Sequence, residues 1–229
     1  IRLRVAPEVR LADRVVQGRP EGYVLQIAPA EVVITGFDEP GLFYGGVTFL
    51  QLLRTDMQLQ PDRPAPCGTI VDWPAIGRRI VSLEHPHHIS PGKTFNDPLT
   101  IDFLRSWVNR YVAGLKANVF RWSTGAVVQF ASRPEFNDSS KPYTLEDMAS
   151  FAEYCRDRFI DLCPTMQVGG HALHWLLPFH PELRETGYHQ QADVLHPEHD
   201  KIVYACFEDV LNALKPRYFS TAGDEWWHS

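Results

Sequence analysis

Two adjacent carboxylates, Asp224 and Glu225, are the residues of this chain best suited to catalysis. They follow residues 218–223, a partly β-forming run that ends in small residues and predicts a buried strand. Carboxylates at the carboxyl end of such a strand lie where α/β barrels build active sites. Because side chains alternate along an extended backbone, the two groups face different surroundings and are suited to different tasks. The alternative is the first turn of a helix, where acidic residues are also favoured.

Composition excludes several classes of partner. The 229 residues carry a formal net charge of −6, and Lys and Arg are scattered rather than massed. Nucleic-acid binders normally show a basic footprint, so no nucleic-acid partner is expected. No apolar run approaches the roughly 20 residues that a membrane span needs, so no span is expected either.

The start of the chain leaves the compartment open. It begins with Ile1, and no charged-then-apolar leader precedes the fold, so the sequence is expected to be processed, trimmed or partial. A secreted, a periplasmic and a lysosome-like location are all compatible with it. Oligomeric state is equally undetermined.

The cysteines lack the spacing of a metal site, and the histidines, although some lie three apart as on one face of a metal-binding helix, form no metal-binding motif. The four cysteines suggest buried free thiols rather than a disulfide framework: Cys67, Cys155, Cys163 and Cys206. The ten histidines include close pairs, but proline interrupts two of the clusters and no H-E-x-x-H motif occurs. Glycine-rich nucleotide loops and the G-x-S-x-G elbow are also missing from the sequence. We therefore expect no metal and no cofactor.

The first 66 residues predict a small α+β domain. Alternating and β-branched runs predict three strands, at residues 1–5, 23–27 and 32–35. A helix over 42–53 follows, for which Asp38 is a natural N-cap and Pro40 lies in the first turn. Sheet first and helix afterwards indicate an α+β unit. The Pro-rich, polar stretch 58–66 is the predicted linker.

Residues 67–229 change to an alternation of strands and helices. Strands are predicted at 79–83, 118–122, 160–167 and 218–223, and helices at 100–115, 144–159 and 201–214. Thr144 and Asp147 have the spacing of a helix N-cap and its acidic partner. Repeated β-α units predict a parallel sheet, and about four units are visible where a closed barrel requires eight. The segment is therefore either an open sheet or the first half of a (β/α)₈ barrel.

Seven collinear motifs resemble glycoside hydrolase family 20, the β-N-acetylhexosaminidases. They are, in chain order, Glu21-Gly22-Tyr23, Glu39-Pro40-Gly41-Leu42-Phe43-Tyr44-Gly45, Asp72-Trp73-Pro74 with Arg78, Asn118-Val119-Phe120, Tyr143-Thr144, Gly170-His171-Ala172 and Gly223-Asp224-Glu225. This resemblance implies an accessory domain over 1–66 and a partial TIM-type barrel over 67–229, which is expected to contain only the first four barrel strands.

The resemblance also implies a mechanism and a substrate. Family members cleave terminal β-linked N-acetylhexosamine, either N-acetylglucosamine or N-acetylgalactosamine, with retention and with the sugar's own acetamido oxygen as nucleophile. Asp224 would orient that acetamido group, and Glu225, with a pKa raised by a desolvated pocket, would protonate the leaving oxygen. Arg78 and His171 would bind the sugar. Trp122 would line the pocket or, alternatively, pack in the core.

Three supporting positions depart from the family pattern. The second strand continues as Phe120-Arg121-Trp122-Ser123 with no carboxylate, the third strand reads Pro164-Thr165-Met166-Gln167, and Ser220-Thr221-Ala222 precede the catalytic pair without a histidine. Two alternatives follow from these departures. The first is a catalytically impaired, glycan-binding barrel domain, and the second is a related glycosidase that acts on a different sugar.

Overall fold

The computed structural model describes residues 1–55, 58–59, 64–83, 100–137, 142–188 and 190–223. The chain forms two compact units. The first comprises Ile1–Arg79 together with Ala113–Ala117, and the second comprises Ile80–Val112 together with Asn118–Ser229. The architecture is therefore α/β with a small additional domain, as the sequence predicted at this level.

A four-stranded sheet forms the first unit. Its strands in chain order, with two short hairpins, are β1 (Arg2–Val5), β2 (Glu8–Arg10), β3 (Val15–Gln17), β4 (Tyr23–Ile27), β5 (Val32–Gly36), β6 (Arg54–Thr55), β7 (Gln58–Leu59) and β8 (Gly68–Asp72). The order across the sheet is β1-β5-β4-β8, with β1 parallel to β5 and the other two pairings antiparallel. The pairs β2-β3 and β6-β7 are separate antiparallel hairpins, which the sequence patterns did not predict.

Helix α1 (Glu39–Leu52) packs on this sheet, and its start follows the predicted capping pattern. Asp38 Oδ1 accepts a hydrogen bond from the backbone N–H of Gly41 at 2.7 Å, and Pro40 lies in the first turn. The core between helix and sheet is built on buried side chains of β4, β5 and α1: Tyr23, Leu25, Ile27, Ile34 and Tyr44.

The first unit extends past the predicted boundary at residue 66. Strand β8 pairs along its whole length with β4, from Gly68 opposite Ile27 to Asp72 opposite Tyr23. Its backbone hydrogen bonds therefore belong to the first sheet. The assignment of residues 1–66 and 67–229 as functional domains stays a prediction.

The second unit contains a parallel sheet covered by helices. Its elements are β9 (Ile80–Leu83), α2 (Ile101–Trp107), β10 (Val119–Ser123), α3 (Leu145–Arg156), β11 (Asp161–Gln167), α4 (His199–Leu214) and β12 (Ser220–Ala222). The strands lie in chain order, β9-β10-β11-β12, and every pairing is parallel. Such a sheet needs apolar cover, and aromatic residues of β10 and α3 supply much of it.

Local geometry differs from the predictions mainly in one helix. Helix α2 begins at Ile101, after the N-cap Thr100, and ends at Trp107; the chain continues as a π-helical turn, Val108–Val112, and a 3₁₀ turn, Ala113–Leu115. The apolar spacing that predicted one helix over 100–115 does not distinguish α-helical, π-helical and 3₁₀-helical turns. The predicted N-cap of α3 is confirmed, because Thr144 and Asp147 form a reciprocal capping box.

None of the helices in the described part of the chain has the length and apolar character needed to cross a bilayer.

Candidate active site

The carboxyl ends of β9 to β12 meet at one edge of the second unit's sheet. The strands end at Leu83, Ser123, Gln167 and Ala222. Active sites of α/β barrels form at this edge, because the loops that follow the strands converge there. Asp224 and Glu225 themselves lie outside the described residues, and so do residues 84–99 that follow β9.

The strand that leads to the carboxylate pair is held against its neighbour. Ser220, Thr221 and Ala222 of β12 pair with Thr165, Met166 and Gln167 of β11. One step beyond, the Val168 N–H donates a hydrogen bond to the Ala222 carbonyl at 2.9 Å. The backbone is therefore positioned up to two residues before Asp224.

Trp122 occupies the face of β10 that is covered by helix α3. Its ring is fully buried, with centroids 5.7 Å from Phe151 and 5.5 Å from Tyr143. Among the described residues no acceptor lies within hydrogen-bond distance of its indole N–H. This placement matches the packed-core alternative that the sequence left open, and its role as a substrate contact stays untested.

The opposite face of the same strands is polar. Side chains alternate along β10, so Arg121 and Ser123 point away from Trp122. Arg121 Nε donates to Thr165 Oγ1 at 3.2 Å, and Cys163 is the register partner of Arg121. Burial raises the pKa of the Cys163 thiol, and the nearby guanidinium only partly opposes that shift. Arg121 and Thr165 match no motif, but alternation from Trp122 is a signal that could have indicated this face.

His171 lies in the loop after β11, directly before a 3₁₀ turn, and has a left-handed backbone conformation with φ of 55°. Its half-buried imidazole stacks on His174, with ring centroids 5.9 Å apart and planes inclined by 18°. Nearby, the buried indole N–H of Trp175 donates to the carbonyl of Gln167 at 2.7 Å. The loop that carries the predicted sugar ligand is therefore fastened to the end of β11.

A buried histidine that no motif indicated also contacts this strand end. His199, the first residue of α4, lies with Nε2 2.8 Å from the carbonyl oxygen of Val168. The two residues are separated by 31 positions in the sequence. No local pattern could have revealed a contact over that separation.

Arg78 lies in the first unit and its side chain is exposed. The neighbouring Arg79 makes contacts within the first unit: its guanidinium pairs with Glu21, and its Nε donates a hydrogen bond to the Lys116 carbonyl at 2.6 Å. The role of Arg78 as a sugar contact stays a prediction. Trp122 and His171 lie in the second unit.

Comparisons with known proteins give a consistent result. Residues 3–73 match the family model described as glycosyl hydrolase family 20, domain 2. The chain is 26% identical to a beta-hexosaminidase of Porphyromonas gingivalis over 239 aligned positions, covering 90% of this chain and 29% of that protein. It is 22% identical to a lacto-N-biosidase of Bifidobacterium bifidum, of which it covers 17%.

Solved structures show the same fold. A glycoside hydrolase family 20 beta-N-acetylglucosaminidase is similar over the whole of this chain and 50% of its own length, with a TM-score of 0.74 and 22% identity. The family 20 beta-N-acetylhexosaminidase of Streptomyces coelicolor gives a TM-score of 0.73 over 92% of this chain and 46% of its own, at 22% identity. The chain thus spans half or less of the relatives it matches. The findings confirm the resemblance to glycoside hydrolase family 20 that the motifs predicted.

Proposed function

We propose that the protein is a glycosidase that removes terminal β-linked N-acetylhexosamine from glycans by substrate-assisted, retaining catalysis. The observation that carries the proposal is the position of β12. This strand pairs in parallel with β11 and continues in sequence, after Gly223, into Asp224 and Glu225. The names of the relatives, a beta-hexosaminidase and several beta-N-acetylhexosaminidases, support the choice of sugar.

We infer that the second unit is the first half of a (β/α)₈ barrel. Four parallel strands lie in strict chain order, whereas a doubly wound open sheet reverses its strand order at a switch point. No reversal occurs among the described strands. This order supports the half-barrel over the open sheet.

In the proposed reaction the carboxylates have separate tasks. Asp224 orients the 2-acetamido group so that its oxygen attacks the anomeric carbon, and it stabilises the positive charge of the cyclic intermediate. Glu225 donates a proton to the leaving glycosidic oxygen and afterwards takes one from the attacking water. No protein nucleophile and no cofactor are needed.

The sugar contacts are proposed from the motifs. Arg78 would donate from its planar fork to hydroxyl groups of the terminal sugar. His171 would contribute a hydrogen bond from the loop after β11. The buried position of Trp122 favours an indirect role in sugar binding, in which the ring supports the strand that carries Arg121 and Ser123.

Hydrolysis of a chromogenic β-N-acetylglucosaminide by the protein at its full natural length tests the proposal. We expect Glu225→Gln and Asp224→Asn each to lower kcat by about 100-fold or more. The matching glucoside, which lacks the acetamido group, should not be turned over. Undiminished activity in both variants, or equal turnover of the glucoside, would contradict the proposed mechanism.

A second candidate is a glycan-binding domain without turnover. It is favoured by the polar face of the sheet, where the last three residues of β10 and of β11 include Arg121 and Thr165 but no carboxylate. Binding of N-acetylglucosamine measured by calorimetry, without Glu225-dependent hydrolysis, would support this candidate over the enzyme.

A further inference from the structure

Helix α4 is tied to the sheet by a histidine at its first residue. His199 is only 3% exposed, and its Nε2 lies 2.8 Å from the Val168 carbonyl oxygen. A carbonyl oxygen only accepts hydrogen bonds, so Nε2 carries the proton and donates it. This contact fixes one end of the ring.

The residue that receives this hydrogen bond is also bonded to β12. The N–H of Val168 donates to the carbonyl oxygen of Ala222 at 2.9 Å. Val168 therefore joins His199, on one side, to the last residue of β12 on the other. Ala222 precedes Asp224 by two positions in the sequence.

The other ring nitrogen, Nδ1, lies 3.0 Å from Oδ1 of Asp200. The two groups attract each other only when Nδ1 also carries a proton, and solvent screens that attraction because the Asp200 side chain is 63% exposed. The orientation of the imidazole therefore rests on the hydrogen bond from Nε2 to Val168.

We propose that His199 is a positioning residue, which holds the carboxyl end of β11 against β12 and so sets the backbone that leads to the catalytic carboxylates. This inference rests on the function proposed above. A displacement of a catalytic group by about 1 Å is sufficient to lower a rate 100-fold. His199 bonds to Val168, which in turn bonds to Ala222 two positions before Asp224, so the histidine is well placed to affect kcat.

Three variants of the protein at full natural length test the role. His199→Leu removes the donor, whereas His199→Gln keeps an N–H at a reach similar to Nε2. His196→Gln is the matched control, because the His196 ring contacts the backbone N–H of Glu198 within its own turn. With the chromogenic glycoside we expect His199→Leu to lower kcat about tenfold or more with KM within about threefold. His199→Gln should recover most of kcat, and the control should match the unmodified protein.

Amide hydrogen exchange provides a readout that does not depend on turnover. His199→Leu should speed exchange of the Val168 amide, whose bond to Ala222 it loosens, and His199→Gln should not. If the unmodified protein hydrolyses nothing, the proposed function fails, and the exchange rates still decide whether His199 holds the end of β11 against β12.

Two results would overturn the inference. One is wild-type exchange at Val168 in His199→Leu, and the other is faster exchange with an unchanged kcat, which would show a purely structural contact. Should His199→Leu fail to fold, His199→Asn takes its place, because its shorter amide does not reach Val168. Equal kcat values for the Asn and Gln variants would likewise contradict the proposal.

Discussion

Lys116 and Asp72 form an ion pair in the first unit, with Lys116 Nζ 3.0 Å from Asp72 Oδ2. The Tyr23 hydroxyl lies between them, accepting from Lys116 at 2.8 Å and donating to Asp72 at 3.0 Å. The same hydroxyl is 2.6 Å from Thr48 Oγ1 on helix α1. These bonds attach the segment around Lys116 to the first sheet, which explains why Ala113–Ala117 belong to that unit.

The first prediction concerns acid stability. Burial disfavours the Asp72 carboxylate, but hydrogen bonds from Lys116 and Tyr23 outweigh burial and hold its pKa below the ordinary value of 3.8. A lowered pKa stabilises the folded state fully above the unfolded value, and this contribution is lost as the pH falls through the folded pKa. Because the side chain is 47% exposed, Asp72→Asn should cost only about 1 kcal/mol at pH 7.

Urea unfolding between pH 7 and pH 3 measures this effect. The free energy of unfolding should fall less steeply below about pH 4 in Asp72→Asn than in the unmodified protein, because one linked carboxylate is gone. Asp13→Asn, at an exposed position between β2 and β3, is the control. Identical acid slopes for the Asp72 variant and the unmodified protein would refute the assignment.

Capping residues and strands were predictable because their signals are local. Asp38 and Thr144 were recognised from their distance to the next few residues, and both form the expected bonds. The Lys116–Asp72 pair was not predicted, since its partners are 44 positions apart. The hairpin of β2 and β3 was missed because three-residue strands give too short an alternation to detect.

Two adjacent glycines of α1 provide the second prediction. A Cβ at Gly45 would overlap the Cγ2 methyl of Ile34 and lie 3.1 Å from Tyr23 Cδ2. At Gly46, no atom of the described residues lies within 4 Å of such a Cβ, apart from its chain neighbours and the helix's own backbone. Gly45→Ala should therefore force the helix from the sheet and cost about 1–3 kcal/mol. Gly46→Ala should stabilise by about 0.5–1 kcal/mol, because alanine favours the helical backbone.

Thermal unfolding of the two variants tests whether the contacts of each position govern its stability change, since the substitution is chemically identical at both positions. We expect Tm to fall for Gly45→Ala and to rise for Gly46→Ala. Equal shifts of the same sign would mean that helix propensity, and not the contact with Ile34, governs both positions.

The cysteines give the third prediction, on reactivity. Cys67 is exposed, whereas Cys155, Cys163 and Cys206 are buried. Burial raises the pKa of Cys155 to about 12, so its thiolate is scarce at neutral pH. A thiol reagent such as dithionitrobenzoate at pH 8 should react quickly with Cys67 alone of these four and with the others only after unfolding. Peptide mapping of the labelled protein checks this, and rapid labelling of Cys155 would contradict the burial.

In the candidate site, too, some features could be predicted from local sequence patterns and others depend on contacts between distant residues. The motif around His171 was visible in sequence, and so was the strand that leads to Asp224. The bonds that hold these segments, from His199 to Val168 and from Trp175 to Gln167, join residues 31 and 8 positions apart. Such contacts depend on how the chain returns to the sheet, which local patterns do not specify.

The fourth prediction compares two buried tryptophans of the second unit that receive the same substitution. Trp122 is 0% and Trp175 2% exposed, so both lose packing contacts when replaced by phenylalanine. They differ in hydrogen bonding: Trp175 Nε1 donates to the Gln167 carbonyl at 2.7 Å, whereas the Trp122 N–H finds no acceptor in the described part of the chain.

Trp175→Phe should therefore be more destabilising than Trp122→Phe by about 1 kcal/mol, because it alone deprives a carbonyl of its donor. Urea unfolding at pH 7 measures the difference. In the proposed enzyme, we expect Trp122→Phe to leave KM within about twofold, because the ring packs against Phe151 and Tyr143 and its predicted part is to support the strand. A tenfold rise in KM with little loss of stability would instead place Trp122 in the sugar pocket. The substrate would then bind at the face of β10 that carries Trp122, and not at the polar face that carries Arg121 and Ser123.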